Sequence, residues 1–163
     1  MAGKPKAVPE GTHTITPHLV VRNATKALEF YQKAFGAEVK SVHHTPKGMV
    51  MHAELKIGDS KLMLADEFPE MGSKAPESLG GSPVILNIYV EDVDSLFNRA
   101  VSAGAKVTMP LANQFWGDRY GSVVDPFGHH WALGAHVEDV APEEMERRSN
   151  ALFAEMSKKA GAH

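Results

Sequence analysis

The chain of 163 residues contains no cysteine. That absence removes disulfide staples, thiolate nucleophiles and cysteine-ligated zinc, and it fits a reducing compartment. An excess of one charge is missing too: 17 lysines and arginines stand against 20 aspartates and glutamates, a formal net charge of −3. The cations are dispersed, so a polyanionic partner such as nucleic acid is not expected. No stretch has the length and apolarity of a membrane span, and Met1 to Gly11 carries lysines and prolines with no apolar segment behind them. A soluble, cytoplasmic protein without membrane association is the expectation. Tryptophan and tyrosine are scarce, at two and three residues, which makes the grouping of Trp116, Tyr120 and Trp131 in one stretch informative.

What is present is ordinary globular material, 43% apolar and 23% charged, enough for one buried core or two small fused modules. Residues 1–13 read as a flexible arm. Thr14 to Val21 then alternates as a half-buried strand does, and Asn23 caps a helix over Ala24 to Phe35 that Gly36 stops. Ala27, Leu28, Tyr31, Ala34 and Phe35 form its apolar stripe. Strands follow over Glu38 to His44, Met49 to Ile57 and Lys61 to Ala65, so residues 14–66 form a βαβββ unit. Between residues 67 and 81 the composition turns to Pro, Gly, Ser and acidic residues without periodicity, as in a linker loop.

Residues 82–137 repeat the first unit. Val84 to Val90 is a strand, Asp92 caps a helix over Val93 to Ala103, and Gly104 stops it; strands over Lys106 to Met109, Arg119 to Val124 and His129 to His136 complete it. Asn23 falls over Asp92, Gly36-Ala37-Glu38-Val39 over Gly104-Ala105-Lys106-Val107, and Gly58 over Gly128, at an offset near 69 residues. Such agreement marks an internal repeat. Beyond it, residues 138–163 form a helix started by Pro142, with Met145, Leu152 and Met156 on one face, and a frayed tail from Lys158 to His163. Packing of that face on the protein's own modules is the default expectation, with a dimer interface as the alternative.

Gln114 to Trp131 reads Q-F-W-G-D-R-Y-G-S-V-V-D-P-F-G-H-H-W and is the richest stretch chemically. Trp116, Tyr120 and Trp131 offer flat apolar area, Arg119 a fixed fork of donors, Gln114 an amide, and His129 and His130 groups that titrate near neutrality. The plainer alternative makes the tryptophans core residues and gives Arg119 a salt bridge to Asp118 or Asp125.

These modules carry a family resemblance. A-L-E-F-Y-Q-K-A-F-G-A-E-V at Ala27 to Val39 and D-P-F-G-H-H-W at Asp125 to Trp131 resemble the vicinal oxygen chelate superfamily of glyoxalases, extradiol dioxygenases, and fosfomycin- and bleomycin-resistance proteins. Ile57 to Glu67, Gln114 to Gly121 and the tail Glu138 to Arg148 are similar to its PhnB-like branch. The resemblance implies an α+β fold in which two tandem βαβββ modules curve a mixed sheet around a cavity, in a homodimer that sometimes exchanges modules. It also implies a divalent metal on the first and last strands of each module. The aligned positions hold Thr16, Leu62, Ile85 and Ala132, a hydroxyl and three hydrocarbons. A two-residue slip brings in His18, Leu64, Asn87 and Gly134, or Thr14, Ser60, Pro83 and His130, and no register collects three ligands.

The expectation is therefore a cavity without the usual metal and without a cofactor. The alternative is a rearranged divalent site from His18, His52 and Glu54. By alternation, His18, Leu62, Asn87 and His130 line the cavity, with His136 at the end of the row, while Met63, Trp131 and Leu133 pack under the helices. With His52 beside them and Gln114, Trp116, Arg119 and Tyr120 closing the mouth, the set suits a small organic ligand. Two classes stay open: sequestration without chemistry, as in bleomycin-resistance proteins, or an enzyme, either metal-dependent (lyase, isomerase or dioxygenase) or using histidine as general base with Arg119 stabilising an oxyanion.

Overall fold

The structure, a computed structural model, describes residues 3–161; the terminal part of the expected frayed tail, including His163, lies outside them. Strand β1 (His18–Val21) leads into helix α1 (Ala24–Phe35), and β2 (Glu38–His44), β3 (Val50–Ile57) and β4 (Ser60–Asp66) complete the first module. A turn of 3-10 helix at Pro69–Met71 and the short helix α2 (Pro76–Leu79) lead to β5 (Ile85–Tyr89), α3 (Val93–Ala103), β6 (Lys106–Asn113), β7 (Asp118–Val124) and β8 (His130–His136). Helix α4 (Pro142–Ala160) follows. The strands form two four-stranded sheets, ordered β1-β4-β3-β2 and β5-β8-β7-β6. In each, the first strand pairs parallel with the last and the remaining pairs are antiparallel. The architecture is thus the expected α+β pair of βαβββ units, with sheets that curve and do not close.

Local chemistry sets the helix ends. Asn23 adopts φ 64°, a left-handed conformation asparagine tolerates, and its side chain accepts from Lys26 N at 3.2 Å. Buried Asp66, at the end of β4, adds a second cap: Oδ1 accepts from Ala24 N and Oδ2 from Val50 N, each at 2.7 Å. Asp92 does the same for α3 through Ser95 N at 3.0 Å. The apolar stripes of α1 and α3 face each other and one side of each sheet, so a single core spans both modules. Phe35 and Trp131 lie 4.7 Å apart between ring centroids, and Trp131 is 2% exposed. Buried Asp125 ties the halves together by accepting from Tyr31 Oη at 2.6 Å and Trp131 Nε1 at 2.9 Å, besides the amides of Phe127 and His129.

With one face of each sheet under a helix, the other faces are open. In the second module the alternation is as expected: Trp131 and Leu133 are buried with the helices, and Asn87, His130 and His136 point the other way. In the first module His18 is on the open side as expected, but β4 is reversed. Leu62 is in the core, and Met63 pairs with His18 on the open side. The cause is one residue. Matching Gly58 to Gly128 implies an offset of 70 (128 − 58), whereas His18↔Met63 and Asn87↔Ala132 superpose at 69 (87 − 18 and 132 − 63). The β3–β4 turn has two residues between its paired ends, Ile57↔Ser60, but the β7–β8 turn has five, Val124↔His130. A one-residue slip exchanges the faces of a strand.

Three other segments differ from the sequence-based reading. Strand β1 begins at His18 rather than Thr14, after Pro17, which has no amide to donate. β6 runs on to Asn113 because Pro110 sits where the register shifts on an edge strand, a place that tolerates proline. Of the apolar face of α4 only Met145 is half-buried; Leu152 and Met156, with Phe153 beside them, are 41%, 55% and 61% exposed, so the later turns do not pack on the protein's own modules. Residues 67–81 are held by Glu67, whose carboxylate accepts from Ser78 Oγ at 2.6 Å, Ala75 N at 3.0 Å and Arg22 Nε at 2.8 Å. These bonds pull its pKa down to about 2.

Candidate functional site

The open face of the second sheet carries a polar cluster built on Asp118. This residue starts β7, is 5% exposed, and accepts from Tyr89 Oη at 2.8 Å and Trp116 Nε1 at 3.1 Å. Its other oxygen lies 2.8 Å from His136 Nδ1, and His136 Nε2 lies 2.8 Å from Asp139. A neutral imidazole has one N–H, so both contacts are satisfied together only by the imidazolium. Accordingly Asp139 and Asp118 raise the His136 pKa. Burial alone would raise the Asp118 pKa, but the bonds from His136, Tyr89 and Trp116 outweigh it and leave a carboxylate below its usual range. Tyr120 stands edge-on to Trp116, ring centroids 5.4 Å apart, and with Tyr89 flanks Gly134, where a Cβ would approach both rings within 3.5 Å. Two tyrosines and an indole thus surround a fixed acceptor on a face that no helix among the described residues covers.

The open face of the first sheet is built on histidine. His18 and His52 meet edge to face with ring centroids 6.0 Å apart. Burial, then repulsion from His52, lowers the His18 pKa. Met63 pairs with Glu54 across β3 and β4 on the same face. Among the described residues no group of three or more histidine, aspartate or glutamate side chains is placed to hold a metal ion.

The expected site residues therefore fall into separate places. His18 and His52 are together, and Trp116 and Tyr120 are together. Asn87 and His130 lie on the second open face, paired with Ala132 and Ile85 respectively. Gln114 is occupied in its own turn, donating to the carbonyls of Ala112 and Tyr120 at 3.3 Å. Arg119 points to the helix side, where Nε and one terminal nitrogen bind Asp94 at 2.7 Å and the other terminal nitrogen reaches Asn113 Oδ1 at 3.2 Å. Its partner is thus neither Asp118 nor Asp125. Asp118 and Tyr89 were not among the expected residues, although Asp118, Tyr120 and Ser122 alternate with Arg119 and must share the opposite face.

A cavity of about 800 Å³ lies elsewhere, on the helix side between the segment before β1, the β3–β4 turn, β5 and α3, and of the residues expected to line a cavity only Leu62 and Asn87 border it.

The fold and both open faces can now be set beside known proteins. A family model described as Glyoxalase/Bleomycin resistance protein/Dioxygenase superfamily matches residues 12–149. The chain belongs to that superfamily. An uncharacterized protein of Mycobacterium bovis is 48% identical over 135 residues, 81% of this chain and 89% of its own. TioX from Micromonospora sp. ML1 superposes with a TM-score of 0.61 at 26% identity, over 77% of this chain and 99% of its own. The PhnB protein of Bacillus cereus shares the fold with a TM-score of 0.56 at 21% identity, over 76% of this chain and 99% of its own. In the observed register, the positions where the superfamily resemblance implied metal ligands hold Thr16, Met63, Ile85 and Ala132. That set does not fit a divalent cation.

Proposed function

We propose that this superfamily member binds a small organic molecule between open sheet faces, without the usual metal, and that a second copy completes each cup. The observation that carries the reading is the Asp118 cluster: an acceptor 5% exposed, held by three donors, with aromatic rings around it on a sheet face that no helix among the described residues covers. Fixed polar groups set in apolar walls are what ligand sites are made of. Tyr89 is 61% exposed and Ile85 55% exposed on this face, which supports closure by a second open face in a homodimer. A cup formed from the first sheet of one copy and the second sheet of its partner would bring His18 and His52 opposite Asn87, Trp116, Tyr120 and His130.

A thermal-shift screen of aromatic and heteroaromatic small molecules tests this, since a ligand stabilises the folded state by mass action. Hits should quench Trp116 fluorescence and weaken at least tenfold in Tyr120→Ala, a loss of about 1.4 kcal/mol. Hits indifferent to Tyr120→Ala and Trp116→Phe would remove the proposal. The His18–His52 pair supports a second reading, an enzyme with a rearranged metal site. Stoichiometric zinc, nickel, manganese or iron in the purified protein, lost in His18→Ala and Glu54→Ala, would make that reading the better one.

A further inference from the structure

The 800 Å³ cavity on the helix side touches the second open face only along β5, at Asn87 and Tyr89, and has a composition of its own. Its floor is apolar, drawn from the shared core: Phe35, Ile57, Leu62, Leu86, Leu96 and Trp131 border it. Asp92, Ser95 and Arg99 stand along one face of α3 at helical spacing and form one polar side, and Lys61 stands on the other. The charges on these two sides are not equivalent. Asp92 accepts from Ser95 N and Ser95 Oγ, so its carboxylate is committed to capping α3. Asp59, also at the rim, accepts from Ser60 Oγ. The two cations have no acidic partner among the described residues: Lys61 donates to Glu10 O and Thr12 Oγ1, and Arg99 gives one bond, to Lys33 O at 3.1 Å. A guanidinium has five N–H donors and pairs best with a planar oxyanion held by two of them.

We propose that this cleft is a second ligand site, which takes a small amphipathic carboxylate with its apolar body on the core floor and its head group on Arg99. The volume lies in the usual range for drug-sized ligands. The site needs no second copy and no residue of the Asp118 cluster beyond the edge of β5. It therefore stands or falls separately from the cup.

Decanoate is a suitable probe, compared by titration calorimetry with decyltrimethylammonium, a chain of the same length and opposite charge. Saturable binding of one decanoate per chain is expected, with little binding of the cation. Arg99→Gln should weaken decanoate roughly tenfold or more, and Arg99→Lys should recover part of the loss, as for a charge-assisted bond. Thr16→Trp, which adds bulk at the cleft wall from an unpaired segment, should block binding, whereas Tyr120→Ala on the open face should not affect it. Circular dichroism melts of each variant establish that it is folded. Equal affinity for both amphiphiles, no response to Arg99→Gln and Thr16→Trp, or no saturable binding would each overturn the assignment. Loss in Tyr120→Ala with none in Arg99→Gln would place decanoate in the cup and overturn it as well.

Discussion

Asp125 has its two oxygens filled by four donors while 4% exposed, so each donor removed leaves a buried acceptor less satisfied. Tyr31→Phe deletes one bond to a carboxylate and should cost about 1.5–3 kcal/mol in urea unfolding. Asp125→Ala strands the Tyr31 hydroxyl, the Trp131 indole and two amides, and about 3 kcal/mol or more is expected. The histidines of the two open faces should titrate in opposite senses. For His136 the folded pKa is raised by Asp139 and Asp118. Its stabilising contribution is full below the unfolded value near ~6.5 and lost as pH rises through the folded value. His18 has a folded pKa lowered by burial and His52, so its folded form resists protonation and stability falls as pH drops below about 6.5. Urea midpoints between about pH 5 and 8 should therefore lose a high-pH decline in His136→Asn and a low-pH decline in His18→Asn. A wild-type slope retained in either variant would show that the relevant histidine is not the group responsible.

At the scale of the element, the turn between β6 and β7 fixes where α4 begins. Gly117 has φ 98°, its carbonyl accepts from Val137 N and Glu138 N at 2.9 Å, and a Cβ there would lie 2.1 Å from Glu138 O. Gly117→Ala must push the segment after β8 away and should lower stability by about 1–3 kcal/mol. Because His136 and Asp139 flank that segment, the variant should also expose Trp116, read as a red-shifted emission. Much of this organisation was legible beforehand. Asn23, Asp92, Gly36 and Gly104 announced both helices, because capping is chemistry between near neighbours in the chain. The alternation of β8 placed Trp131 in the core. The slip in β4 was not legible, since the glycines of two turns of different length look alike in a string of letters. Nor was the fate of Arg119: its partner Asp94 is 25 residues distant and adjoins it only once α3 lies on β7. Asp118 is the residue that strand parity alone could have found, since it and Arg119 are adjacent in β7 and must lie on opposite faces.

For the whole molecule, the question is what covers two sheet faces that one chain leaves open. The helices meet each other, so their shared core holds the modules back to back with the cup halves facing outward. Met51, Ile85, Tyr89 and Met109 remain 59%, 55%, 61% and 41% exposed, more apolar surface than isolated side chains on a monomer require. Pairing the first sheet of one copy with the second sheet of another would use both faces twice in a two-fold dimer. Ile85 makes this testable, because it points away from the core and its replacement leaves the modules' own packing untouched. Full burial of one isoleucine is worth about 1.5–3 kcal/mol, and two-fold symmetry counts the residue twice. Ile85→Asp should therefore raise the dimer dissociation constant by at least about 100-fold in sedimentation equilibrium, with a melting transition that becomes independent of the substitution at concentrations where both proteins are monomeric. If the wild-type chain is itself monomeric at the concentrations where it binds its open-face ligand, the cup must be half a cup. Recognition would then rest on the Asp118 cluster alone, and His18→Ala and His52→Ala would leave affinity unchanged.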